Sequence, residues 1–241
     1  MRLLSSDRAD LPAGAPVDED LLRALYAFPA AGGVRSNFVS TLDGGGTGAD
    51  GLTGSINNAA DKRIFDLNRE LADVVVVGAA TLDAENYGPG AGSKPLIGLS
   101  NRCLIPRGWR TAEPAPGQAI LVTVTDADPS RLAQARDVLG ADNVWTIGSG
   151  TVDVAQVLVH LQRLDHRAIL TEGGPRVHAE LLHRGLLDEL ALTWVPHLVG
   201  GLGPRIAHGN DFTVTMTLRH LLETDGTLLS LWRVPQTPGH S

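Results

Sequence analysis

Along the chain, short apolar runs rich in β-branched residues alternate with longer stretches whose apolar positions recur at helical spacing. The runs fall at 34–41, 74–78, 95–99, 119–124, 143–147, 167–171 and 187–195, and the helical patterns at 58–71, 128–139, 153–164 and 175–185. This βαβ order predicts an α/β fold. Val74-Val75-Val76-Val77 is apolar without a break, as in a strand covered by helices on both faces, so the central sheet is expected to be mostly parallel and flanked by helices. The last runs, 212–222 and 227–234, are separated by the turn residues Thr224-Asp225-Gly226 and predict an antiparallel C-terminal edge. Residues 1–17 are polar and carry Pro and Gly, which predicts a loosely held lead-in before a short helix from Asp18 to Tyr26. The stretch 111–118 reads as a surface loop. No linker or internal repeat divides the chain, so residues 1–241 are expected to form a single domain.

Composition narrows the function classes. With 241 residues and 43% hydrophobic content the chain buries one core without a disulfide or metal. A net charge of −7 and scattered arginines argue against nucleic acid or an anionic membrane as a partner. Cys103 is the single cysteine. The N-terminus has no signal-peptide core and no apolar run approaches the roughly 20 residues of a membrane span, so a cytoplasmic protein is expected. The eight histidines show no metal-ligand spacing, so no metal is expected. Neither a G-x-S-x-G elbow nor a cysteine nucleophile is evident, against hydrolase chemistry.

Three strand ends carry small or polar turns. Thr171-Glu172-Gly173-Gly174-Pro175 places two glycines and a helix-starting proline where backbone N–H groups face a ligand. Gly78-Ala79-Ala80-Thr81 follows the valine run, and Ser100-Asn101-Arg102 offers a hydroxyl and a guanidinium fork. Together they suit the phosphates of a dinucleotide. Strand-Gly-Gly-helix junctions are also common connectors and no G-x-G-x-x-G is present, so both readings stand at this point. Glu172 would repel a phosphate, which directs it at a substrate or a backbone amide.

The segments NFVSTLDGG (37–45), DKRIFDLNRELADVVVVGAATL (61–82) and TEGGPRVHAELLHRGLLDELALTWVPHLVGG (171–201) resemble the reductase domain of bifunctional riboflavin-biosynthesis proteins, the RibD C-terminal family. The resemblance runs from about residue 34 onward and implies a dihydrofolate reductase-like fold, NADPH as cofactor, a small-molecule substrate and a homodimer. It implies that Gly78, Ala79, Thr81, Ser100, Glu172, Gly173, Gly174, Pro175 and Val177 border the cofactor, with Arg102 at its 2′-phosphate. It places Asn37, Thr41, Asp43 and Glu172 near the nicotinamide and substrate, with Asp43 and Glu172 as catalytic candidates. Asp43 in its T-L-D-G turn also suits a loop-shaping role. The zinc-deaminase signature of the bifunctional proteins is absent from this sequence, so reduction alone is expected.

Beside dihydrofolate reductases, Asp61 falls on the acid that grips the pterin, and Phe65, one turn later, is either core or a wall for the ring. An ionised carboxylate accepts the adjacent N3–H and 2-amino donors of a pterin. Asp61 is therefore a candidate catalytic and substrate-binding residue. A first-turn acid is equally favoured by the helix dipole. The expected activity is reduction of a riboflavin-pathway aminopyrimidine or of dihydrofolate; a non-catalytic NADPH-binding protein is the alternative.

Overall fold

The computed structural model describes residues 1–89, 94–111 and 114–235. Ten strands form one sheet: β1 (Arg2–Ser6), β2 (Gly33–Thr41), β3 (Val74–Gly78), β4 (Leu96–Leu99), β5 (Ala119–Thr123), β6 (Val144–Thr146), β7 (Ala168–Thr171), β8 (Glu189–Val195), β9 (Thr217–Thr224) and β10 (Thr227–Arg233). Their order is β1-β9-β10-β8-β2-β7-β3-β4-β5-β6. Strands β8 through β6 in that order run parallel, while β10, β9 and β1 add antiparallel. The helices are α1 (Glu19–Tyr26), α2 (Ala59–Leu71), α3 (Ala79–Ala84), α4 (Pro129–Leu139), α5 (Val154–Arg163) and α6 (Pro175–His183). No helix among the described residues is long and apolar enough to cross a membrane.

The valine run behaves as its pattern requires. Val74 and Val76 pack into a core with α5 and α6, while Val75 and Val77 pack into a second core with α3 and α4. Both faces are dry, so neither needs a polar position. A third core lies between α1, α2 and the antiparallel strands.

Three boundaries differ from the sequence expectation. The lead-in is not loose throughout, because β1 pairs with β9 and buries Leu3. That strand covers the hairpin, so β9 is not the edge. Strand β9 begins at Thr217 rather than at 212, and residues 211–216 are not strand. The hairpin turn is as expected: Asp225 (φ 50°) and Gly226 (φ 78°) both take positive φ, the geometry of a type I′ turn. The loop expected at 111–118 includes positions 112 and 113, outside the described residues; its remainder is not strand until Ala119. Helix α3 had no counterpart among the helical patterns.

Capping separates the helices into two groups. Asp18, Asn58, Asp128 and Asp153 accept first-turn N–H groups of α1, α2, α4 and α5. Helices α3 and α6 begin at Gly78 and Gly174 with no side-chain cap. Their free N–H groups face the carboxyl ends of β3 and β7.

Candidate active site

At the carboxyl ends of β3 and β4 a cavity of about 880 Å³ opens between α3 and α6. Of the residues expected at a cofactor, Gly78, Ala79, Thr81, Ser100, Arg102, Gly174, Pro175 and Val177 line it. Gly173 and Glu172 do not. Gly173 shapes the turn instead: its φ is +115°, and its carbonyl accepts the Gly78 N–H at 3.2 Å. Close packing adds a reason for glycine beyond any ligand. A Cβ on Gly174 would stand 2.9 Å from Thr81 Oγ1, and one on Gly173 would stand 3.3 Å from Thr81 Cγ2. The two turns are thus locked together. Ser100 Oγ accepts the Leu104 N–H at 2.9 Å, closing the turn that projects Arg102 outward.

Two arginines that sequence reasoning passed over, Arg110 and Arg176, share the cavity wall with Arg102. None of the three makes an ion pair among the described residues, whereas the wall's Asp83 and Glu180 face Arg107 and Arg184. Arg110 donates to the Ile105 carbonyl at 3.2 Å and helps to hold the Asp83 carboxyl down, so Arg102 and Arg176 are the wall's cations without an acidic partner among the described residues, beside an uncapped helix N-terminus, a setting for phosphate.

The other expected residues gather on the α2 side of the sheet. Asp61 is the third residue of α2, its N–H capped by Asn58 at 3.0 Å. It is only 4% exposed, and its Oδ1 has no hydrogen-bond partner. Burial pushes its carboxyl above the usual carboxylate range, while the Thr193 hydroxyl draws it down. Phe65 is half-buried, and the Arg69 guanidinium stacks over its ring at 4.4 Å. The ring of Tyr87 lies 5.0 Å from the same guanidinium.

Glu172 is sealed in a bidentate pair with Arg69, whose Nε and Nη2 donate at 2.7 and 2.6 Å. Burial pushes the carboxyl up and the guanidinium opposes it. The pair ties α2 to the end of β7 and so fixes where the glycine turn begins. Asn37 Oδ1 accepts from Asn68 Nδ2 at 3.2 Å.

Thr41 and Asp43 serve the loops. Thr41 Oγ1 donates to Asp43 Oδ1 at 2.5 Å and accepts the Gly45 N–H at 2.9 Å. Asp43 also accepts the Gly200 N–H at 2.7 Å and the Val199 N–H at 3.4 Å. These bonds, Thr41's foremost, hold the Asp43 carboxyl down at about 2. The bonds tie the turn after β2 to the 199–200 loop, a loop-shaping role.

The chain is 26% identical over 183 residues to the 2,5-diamino-6-ribosylamino-4(3H)-pyrimidinone 5′-phosphate reductase of Aquifex aeolicus, covering 73% of this chain and 80% of that one. The reductase of the same name from Archaeoglobus fulgidus is also 26% identical, over 193 residues, with 73% and 86% covered. Among solved structures, a pyrimidine reductase-like protein from Corynebacterium diphtheriae superposes with a TM-score of 0.77 at 22% identity, covering 86% of this chain and 93% of that one, and so shares the fold. The RibD C-terminal domain family matches residues 33–229. The chain belongs to that family.

Proposed function

We propose that this protein is an NADPH-dependent reductase of the riboflavin pathway, acting on the ribosylaminopyrimidinone phosphate for which its relatives are named or on the deaminated uracil form. The observation that supports it most is the cavity: an uncapped α6 N-terminus and two arginines, Arg102 and Arg176, with no ion pair among the described residues, in a space of about 880 Å³. That size lies within the range of sites that enclose a small-molecule ligand. The donor set suits a phosphorylated dinucleotide. The N–H groups at the start of α6 would face the pyrophosphate, and Arg102 the 2′-phosphate, with Arg176 beside it.

When bound, the nicotinamide would supply a hydride, here to C1′ of the opened ribosylamine, with water giving the proton to the nitrogen that C1′ is bonded to. The chain supplies position. The Arg69–Glu172 pair holds the glycine turn, Phe65 and Tyr87 flank the α2 side, and Asn37 offers a hydrogen bond to a flat ring. A second reading, dihydrofolate as substrate, is favoured by one specific observation, an Asp61 Oδ1 with no partner among the described residues; the atom is sealed in this fold, so a pterin would have to open the site to reach it. There the carboxylate anchors the pterin and water brings the proton.

The test is NADPH oxidation by the purified protein with the pyrimidine phosphate and with dihydrofolate in parallel. Turnover of the pyrimidine is the expected result; NADPH binding with neither substrate turned over would leave a non-catalytic binder. In the same assay, Arg102→Ala with Arg176→Ala is expected to bring NADPH and NADH within about tenfold of each other, through loss of charge-assisted bonds worth roughly 1.5–3 kcal/mol each. A preference that survives both changes places the 2′-phosphate elsewhere.

We further propose a homodimer. Leu42 (57% exposed), Leu198 (76%) and Leu202 (105%) sit on loops that adjoin through the Leu42 N–H to His197 carbonyl bond, an apolar surface suited to a second copy. Light scattering at the monomer mass would refute it.

A further inference from the structure

A side-chain amide has an acceptor oxygen and a donor nitrogen of nearly the same shape, so its neighbours decide which end faces where. Beneath the α2 side of the site, those neighbours leave no choice. Arg35 is fully buried, and a guanidinium only donates. Its Nε donates to Glu189 at 3.0 Å, Nη2 to Glu189 at 2.5 Å and to the Ala27 carbonyl at 3.3 Å, and Nη1 to the Tyr26 carbonyl at 2.6 Å and to Asn68 Oδ1 at 2.9 Å. Asn68 must therefore turn its oxygen to Arg35. Its nitrogen then donates to the Ile64 carbonyl at 3.0 Å and to Asn37 Oδ1 at 3.2 Å.

The consequence reaches Asn37. Its oxygen is taken, so its NH₂ points the other way, with no acceptor among the described residues. That nitrogen is not one of the sealed, unpartnered atoms, which include Asp61 Oδ1 and the Tyr26 hydroxyl. Asn37 as a whole keeps 7% of its surface exposed.

We propose that Asn68 is a positioning residue that makes Asn37 present an N–H donor to the substrate, and that the site thereby selects a ring bearing a carbonyl or another lone-pair acceptor at that point. The proposal rests on the reading of Asn37 as a substrate residue given above. A ring that turned an amino group to Asn37 would set donor against donor and be rejected. The wrong amide orientation would do the same to a carbonyl.

Asn68→Asp tests it. Aspartate keeps an oxygen toward Arg35 but has no NH₂, so Asn37 must turn its own NH₂ inward to the carboxylate and its oxygen outward. The expected result is a KM for the pyrimidine phosphate raised about tenfold, the equivalent of one lost hydrogen bond, with kcat and NADPH affinity within about twofold of wild type. Asn37→Asp, which shows an oxygen in either orientation, should reproduce the rise. An unchanged KM in folded Asn68→Asp overturns the proposal. Side-chain amide exchange in the ¹⁵N-labelled full chain gives a reading independent of turnover. Asn68 NH₂ should be protected and Asn37 NH₂ exchanging; in Asn68→Asp, Asn37 becomes protected. A protected Asn37 in the wild type overturns the proposal even if the enzyme works. The expected exchange pattern without pyrimidine turnover supports the orientation and counts against the functional reading instead.

Discussion

Asp61→Asn is expected to melt higher than the wild type at neutral pH while losing roughly 10- to 100-fold of kcat/KM toward dihydrofolate, the share of one charge-assisted hydrogen bond of about 1.5–3 kcal/mol. The two effects share a cause. Asp61 is buried with an acceptor oxygen that nothing satisfies, and a buried unsatisfied group costs about 1–3 kcal/mol. Its place in the first turn of α2 returns about 0.3–1 kcal/mol of that through the helix dipole. The asparagine keeps the shape and removes the charge. A net gain of about 1–2 kcal/mol corresponds to roughly 2–4 °C per kcal/mol for a domain of this size.

The pH dependence fixes the interpretation. Because burial raises the Asp61 carboxyl in the folded protein, the folded state binds the proton more tightly than the unfolded one, so this residue lowers stability as pH rises through the window above the unfolded value of about 3.9. Below that value both states are protonated and the cost is absent. The advantage of the asparagine should therefore shrink in melts below about pH 3.9 and grow as pH rises above it. A variant less stable than wild type at pH 7 would mean that Asp61 is satisfied in the fold rather than held there without a partner. Equal dihydrofolate turnover would remove the pterin reading.

How much of this was legible depended on how local the signal was. The valine run, the four capped helices and the Asp225-Gly226 turn are written in contiguous residues, and each appears where its pattern puts it. Strand β1 was missed because its pairing is not local. Arg2 meets Glu223, 221 positions away, and only Leu3 of the strand is deeply buried, so one apolar residue had to carry the whole pattern. The cofactor turns were visible as glycine clusters, yet the sequence did not show that Gly174 and Thr81 press on each other, which is a contact between two helix starts. Asp61 and Phe65 were found, while Arg69, one turn further along the same face, was not. An arginine near a helix C-terminus reads as a solvated charge, and its partner Glu172 lies 103 positions away. Helical spacing of 61, 65 and 69 was the signal that would have drawn it in.

Arg35→Met is expected to be the most destabilising of these changes, by about 3–5 kcal/mol, because removing one partner of a buried ion pair strands the other. Here the stranding is wider than a pair. Glu189 keeps Arg219, whose Nη1 donates at 2.8 Å, but the carbonyls of Tyr26 and Ala27 and the oxygen of Asn68 lose their donor together. At roughly 2–4 °C per kcal/mol the melting temperature should fall by about 10 °C. Arg35→Met with Glu189→Leu should recover part of that loss, since an apolar pair of similar volume carries no desolvated charge. Arg219 can then turn to Asp7, 3.5 Å away on the half-open side of the network. Folded Arg35→Met should also show a raised KM for the pyrimidine with NADPH affinity kept, because Asn68 without its guanidinium no longer dictates how Asn37 is turned. A melting temperature within 2–3 °C of wild type, read with the conversion above, would show that water or a side-chain shift satisfies those acceptors, and the rigid relay from β8 through Arg35 to Asn37 would have no energetic basis.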